Sequence, residues 1–351
     1  MNYFILFANC IPVKGNNRSI ICDLQRNQFW YIPNDLYKIL IELKGNSISE
    51  IKQIYESKQD DIIQEYFDFL VANELGFIGN LFDLQSFPNI SQEWDEPSII
   101  TNAIIDSSIH SKHDFKNIFF QLEELGCKHI QLRFYNNILF DNLDKILSLL
   151  AKSSVLSIDI IIPYSNPLDK LLNNLIQLHN RINQIIFFSS PCNKKENTNF
   201  TNIIYIREEI NSHLYCGNVD KSLFSINIKN FTESLNFNSC LNRKISIDSL
   251  GNIKNCPSMQ KSYGNIEETC LAEVLIKDEF KAVWKITKDQ IEICKICEFR
   301  YICTDCRAFV ENPLDINSKP LKCGYNPITC QWSEWSKNPL KQNGKDFYGI
   351  K

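Results

Sequence analysis

Cys294-Lys295-Ile296-Cys297-Glu298-Phe299-Arg300-Tyr301-Ile302-Cys303-Thr304-Asp305-Cys306 sets four thiols at gaps of two, five and two residues. Cys240, Cys256 and Cys270 precede the run and Cys323 follows it, making eight thiols in 84 residues. A thiolate ligand must come within bonding distance of its metal, and short intervals let one loop supply several ligands. A disulfide scaffold is the poorer reading, because nothing in the sequence points to secretion, and free core cysteines do not cluster this way. The segment therefore reads as chain wrapped around metal. Spacing alone does not choose the metal, since eight thiols satisfy either two structural zincs or two four-iron clusters.

The surrounding chain is that of an ordinary globular protein. Its 351 residues, 44% hydrophobic and 22% charged, are enough for two or three domains with buried cores. A net charge of -4 gives no general footprint for nucleic acid or an anionic membrane. The opening MNYFILFANCIPVKG has a short apolar run and no basic n-region, so no signal peptide is expected. No stretch approaches the roughly 18 apolar residues that span a bilayer. The expectation is a cytoplasmic protein whose 14 cysteines stay reduced and available to metal.

Three regions separate by pattern. Residues 1–90 begin with strands at Tyr3–Cys10, Ser19–Leu24 and Phe29–Ile32, and Lys14-Gly15-Asn16-Asn17 supplies a hairpin turn. Helices follow at Asp35–Leu43, Ser47–Glu56 and Asp61–Leu75, each with apolar residues at helical spacing. This order predicts a winged-helix-like module. Leu81–Pro97 is polar with two prolines and reads as a linker. In residues 98–235 apolar runs at Ile99–Ile105, His129–Phe134, Leu156–Pro163, Gln184–Phe188 and Ile203–Ile206 alternate with helical stretches at Asp114–Leu125, Asp141–Leu150 and Pro167–His179. That alternation predicts an α/β fold, either an open parallel sheet or a degenerate partial (β/α) barrel, with no helix between Ser189 and Asn202. Residues 236–351 form the cysteine-rich third region.

Cys240, fifteen residues, Cys256 in Gly251-x4-Cys256, Tyr263-Gly264-Asn265-Ile266, the Cys294 run and Cys323 together resemble the SPASM domain. That domain is the carboxy-terminal auxiliary-cluster module of many radical SAM peptide-modifying enzymes. The likeness covers about residues 236–335 and uses seven of the eight thiols; the two-residue gap before Cys306, where three is usual, and Cys270 depart from it. The resemblance implies two [4Fe-4S] clusters. Cys294, Cys297, Cys303 and Cys323 would hold one. Cys240, Cys256 and Cys306 would hold the other, with a fourth position that is open or filled by Cys216, Cys270 or Cys330.

A radical SAM enzyme also needs Cys-x3-Cys-x2-Cys after its first barrel strand. Here Ile99–Ser108 contains no cysteine, and Arg133-Phe134-Tyr135 stands where the family has its glycine-rich stretch. No S-adenosylmethionine is therefore expected. A SPASM-like module behind a region without the triad is similar to the SPASM-domain peptide maturases of grasp-with-spasm systems. That resemblance implies two partners, a ribosomal precursor peptide and an ATP-grasp ligase. In such pathways a leader peptide adds as a strand to an exposed sheet edge and packs against a helix. The alternatives are a non-catalytic adaptor with structural clusters and a zinc-stapled binding protein.

Other candidates are weaker. His110 and His113, with Asp106, lie at a strand end but read as solvated loop residues, and His129, His179 and His213 show no partner in sequence. Arg300 and Arg307 among the thiols would offset their charge, dock an acidic peptide, or sit on the surface. Cys10, Cys22, Cys127 and Cys192 read as buried thiols. No catalytic residue stands out.

Overall fold

The computed structural model describes residues 1–198 and 200–350. The fold is mixed α/β, built on one large mixed sheet of eight strands. The amino-terminal part holds strands β1 (Tyr3–Leu6), β2 (Cys10–Val13), β3 (Ser19–Asp23) and β4 (Gln28–Ile32), then helices α1 (Asn34–Ile41), α2 (Ile48–Ile54) and α3 (Asp60–Ala72), and β5 (Gly76–Gly79). The single strand expected over Tyr3–Cys10 is two. A turn at Ala8–Asn9, tied by the Asn9 amide to Asp23, sends β1 to pair with β5 and β2 to pair with β3. The turn expected at Lys14–Asn17 does join β2 to β3, and β4 is one free edge of that three-stranded sheet. Ser47 and Glu50 close a reciprocal cap on α2, and Ile63, Phe67 and Leu70 of α3 pack with Ile21 and Ile32.

The stretch expected to be only a linker includes helix α4 (Leu81–Ser86), capped reciprocally by Asn80 and Asp83, before an irregular run. Beyond it come β6 (Asn102–Ser107), α5 (Phe115–Glu124), β7 (His129–Phe134), α6 (Phe140–Ser148), β8 (Ser157–Pro163), α7 (Asn166–Lys170), α8 (Leu172–Leu178) and β9 (Ile182–Phe188). The one helix expected over Pro167–His179 is thus two, broken at Leu171. Strand β10 (Lys194–Asn197) carries no apolar signal and pairs antiparallel with β11 (Asn202–Tyr205) as an edge, where lysines suit exposure. After α9 (Ile228–Asn236), β12 (Lys244–Ile247) pairs parallel with β6, and β13 (Ile253–Lys254) closes that side. The strand order is β10-β11-β9-β8-β7-β6-β12-β13, so the cysteine-rich region beyond residue 236 is built into the sheet rather than appended to it.

Strand periodicity makes the two faces of this sheet chemically different. Ile247, Ile105, Leu132, Ile160, Ile185 and Ile203 stand in register across six strands, and all are buried. They pack in one core with Ile118, Phe119 and Leu122 of α5, Leu143 and Leu147 of α6, and Leu175 of α8. On the opposite face the registers run Lys244, Asn102, His129, Ser157 and then Ser246, Ile104, Gln131, Asp159. The cysteine-rich segment and residues 215–219 lie over this face and leave a cavity of about 500 Å³. Among the described residues no helix is long and apolar enough to cross a membrane.

Candidate metal centre

The polar sheet face and the cysteines meet at this cavity. Its walls include Asn102, His129, Gln131, Ser157 and Asp159 on one side, and Cys216, Cys240, Cys256 and Cys306 on the other. Cys240 sits in the turn between α9 and β12, where the Asn238 side chain accepts from the backbone N–H of Cys240 and Leu241. The same Asn238 amide donates to Asp305 beside Cys306, at 2.7 Å, so one buried side chain ties the two segments. Cys256 lies one residue beyond the end of β13, and backbone N–H groups of Ala308 and Phe309 point at Cys306. Lys244 donates to Cys240 Sγ at 3.4 Å. Burial, and then the neighbouring Cys240, push the Cys256 thiol up to about 11, and burial with Cys240 and Cys256 pushes Cys306 up to about 12. Thiols held that way keep their protons until a metal displaces them.

Cys294, Cys297, Cys303 and Cys323 form a second group. A turn of 3-10 helix at Cys294–Ile296 brings Cys297 N–H onto the Cys294 carbonyl at 2.9 Å. Cys323 is fixed from two sides: Val219 bridges to it, and the buried Lys341 ammonium donates to the carbonyls of Leu321 and Cys323 at 2.7 and 2.6 Å. Burial raises the Cys294 thiol to about 12, opposed by Lys288 and reinforced by Asp305, Cys323 and Cys303. Cys303 is raised by burial and by Cys323 in the same way, and Cys297 by burial and Cys303. Lys288 is only 5% exposed and donates to Cys303 Sγ at 3.1 Å and to the Thr304 carbonyl at 3.0 Å. Burial disfavours its charge, yet Cys303 and Cys294 as thiolates, with the Asp305 carboxylate, more than restore it. A buried ammonium needs a counter-charge of this kind.

Of the seven thiols singled out by sequence, Cys240, Cys256 and Cys306 line the cavity, while Cys294, Cys297, Cys303 and Cys323 lie near one another outside its lining. Of the three candidates for an eighth, Cys216 lies on the cavity wall. Cys270 is exposed at the start of helix α10 (Leu271–Ile276), and Cys330 rests beside Tyr325 with its sulfur toward the Pro327 carbonyl. Among the described residues no three His, Cys, Asp or Glu side chains converge as a site for a single metal ion. The donors of the first group instead ring a cavity.

Several expectations need correction. Arg307 is buried but engages Asp305 at 2.6 Å and the carbonyls of Ile316 and Ser318, while Arg300 pairs with Asp289 and lies on the Tyr301 ring. The cations beside the sulfurs are Lys244, Lys288 and Arg133, and a lysine or strand arginine carries no local sequence mark of such burial. Cys192 is exposed, because it stands in the turn ahead of β10 rather than in a core. His129 and His179 do have partners, Ser157 Oγ at 2.8 Å and Asp144 at 2.7 Å. Asp106 faces Arg133 at 2.5 Å and the Tyr135 hydroxyl at 2.9 Å instead of an imidazole, and only its backbone carbonyl meets His113. This Asp106–Arg133–Tyr135 network fills the ends of β6 and β7. No family model matches the sequence, and no curated protein matches it either.

Proposed function

We propose that the chain is an iron–sulfur protein of peptide maturation, holding two [4Fe-4S] clusters and presenting a ribosomal precursor peptide to an ATP-grasp ligase. The observation that carries the reading is the division of the cysteines into two separate groups, each with a lysine donating to a sulfur, Lys244 to Cys240 and the buried Lys288 to Cys303. A four-iron cluster takes one thiolate per iron, so its ligands surround a body instead of meeting at a point. Cys240, Cys256 and Cys306 around a cavity suit that demand, as do Cys294, Cys297, Cys303 and Cys323. Such clusters with all-thiolate ligands carry excess negative charge, and Lys244 and Lys288 are the groups that would offset it. When bound, the clusters would supply electron transfer or a rigid cross-link. The protein's own residues do the rest.

The amino-terminal module supplies the peptide-docking place in this reading, as a winged-helix-like element. Strand β4 is a free edge, and Trp30 on it stacks edge-on to Phe69 of α3 at 6.2 Å, so an added strand would meet both a ladder and a helix. The ligase would activate a carboxylate of the peptide as an acyl phosphate and close it onto a side chain, with net loss of water. Co-expression of the chain with an ATP-grasp ligase and a short precursor peptide from the same gene neighbourhood tests this. Intact-mass spectra are expected to show water loss that weakens sharply when the chain is omitted. Equal conversion without the chain overturns the proposal.

A further inference from the structure

We infer that Cys216 is the fourth ligand of the first cluster, so that both centres are closed by cysteine, and that Arg133, braced by Asp106, is the positioning residue that holds its sulfur. The inference rests on the two-cluster reading and deepens it.

Cys216 lies 24 residues before Cys240, too far to belong to its local pattern. The fold removes that distance: α9 lies in the chain between the two cysteines, and both line one cavity wall. Gly217 shows how tight the approach is. Its φ is +87°, and a Cβ there would come within 2.9 Å of both Cys306 Sγ and the Phe309 ring. The 216–217 segment therefore needs glycine to lie flat against Cys306. Lys322 pins the same segment by donating to the Cys216 carbonyl at 2.7 Å, and Val219 N–H bonds the Lys322 carbonyl. A loop clamped by Lys322, next to Cys323, ties the first site to the second.

Arg133 explains why the sulfur points inward. Its guanidinium is 2% exposed, its Nε donates to Asp106 at 2.5 Å, and its Nη1 donates to Cys216 Sγ at 2.8 Å. Its Nη2 is buried without a partner among the described residues, leaving a further donor for the same centre. A buried arginine with one carboxylate needs no thiol for charge balance. The planar fork instead allows Asp106 to aim the remaining donors at the sulfur. Hydrogen bonds to ligand sulfur raise the reduction potential of a cluster, because they stabilise its more negative state. Cys270 and Cys330 are absent from the lining of this cavity. With all four positions filled, no iron is left to bind the precursor, so peptide recognition falls to side chains and to the edge of β4.

The test uses the full chain purified under strict anaerobiosis, as parent, Cys216→Ala, Cys270→Ala, Cys330→Ala, Arg133→Gln and Arg133→Lys. Iron and sulfide are counted, and each protein is titrated with ferricyanide and read by electron paramagnetic resonance. An iron without its thiolate is lost on mild oxidation, [4Fe-4S]2+ giving [3Fe-4S]+, Fe2+ and one electron that reduces ferricyanide. Cys216→Ala is expected either to lose about half of the iron and sulfide or to give the three-iron signal, while the parent and the other two alanine variants do neither. Arg133→Gln is expected to keep its iron and lower the potential of one cluster, with Arg133→Lys recovering part of the shift; this readout stands even if Cys216→Ala fails to fold. The inference is overturned if the parent already gives the three-iron signal, if Cys270→Ala or Cys330→Ala gives it in place of Cys216→Ala, or if Arg133→Gln leaves both potentials unchanged. A parent without iron overturns the two-cluster reading itself, a different failure.

Discussion

Phe299 lies inside the Cys297-x5-Cys303 interval and is 2% exposed. Its ring meets those of Phe29, Tyr31, Phe224, Tyr325 and Trp332 at centroid distances from 5.0 to 6.4 Å. Two of these partners belong to β4, so the residue joins the amino-terminal module to the second cysteine group. Replacing a buried phenylalanine by alanine costs ~3–5 kcal/mol, and more where the walls cannot collapse. Here five rings anchored in four segments line the hole, which places Phe299→Ala at about 4 kcal/mol, close to a thousandfold in the folding equilibrium. Against a total stability of ~5–15 kcal/mol that loss is large. Phe299→Leu keeps most of the volume and is expected to cost about 1.5 kcal/mol. Urea unfolding at equal metal loading, followed by tryptophan fluorescence and far-ultraviolet circular dichroism, measures both variants. The two signals are compared because a module that unfolds separately would split the transition. If Phe299→Ala falls within about 1 kcal/mol of the parent, or matches Phe299→Leu, the ring is not the joint described and the packing argument fails.

Three further predictions follow from single contacts. Asp106→Asn leaves the Arg133 charge buried without its carboxylate and is expected to destabilise the chain by about 3–5 kcal/mol in denaturant titrations; a change under about 1 kcal/mol contradicts the assignment of a buried pair. Ser47→Ala removes one half of the reciprocal cap on α2 and should cost about 1 kcal/mol in the same assay, with no loss refuting the cap's contribution. Asp23 is raised by burial, but the Arg26 side chain and the backbone N–H groups of Arg26 and Gln25 outweigh this and hold its carboxyl below the usual range. A depressed carboxyl contributes stability that is complete above its unfolded value of about 3.9 and is lost as pH falls through the folded value. Asp23→Asn should therefore weaken the protein at neutral pH, and the gap between the two denaturation midpoints should close as the pH drops below about 4; a gap that widens on acidification refutes the sign.

Much of the sheet is legible in the sequence, because Ile130–Leu132 and Ile158–Ile162 alternate against a helical layer and strand period dictates what they face. Lys194–Asn197 is not legible, since it pairs with Asn202–Tyr205 through backbone alone and has no apolar face to announce it. The grouping of Cys294, Cys297 and Cys303 follows from intervals short enough for one loop. Cys323 joins them only through tertiary ties from Val219 and Lys341. Cys216 and Arg133 are illegible for the same reason: they are 83 residues apart, and only the path of the chain after β11 brings Cys216 to the Arg133 guanidinium that β7 carries. The lysines at the sulfurs look like surface residues in sequence, because no local pattern encodes burial imposed by a distant segment.

Iron, acid-labile sulfide and zinc per chain, counted after strictly anaerobic purification, test the central claim most directly. Two four-iron clusters predict about eight irons and about eight sulfides per chain with little zinc. One or two zincs per chain with no sulfide would contradict the account and leave a zinc-stapled binding protein.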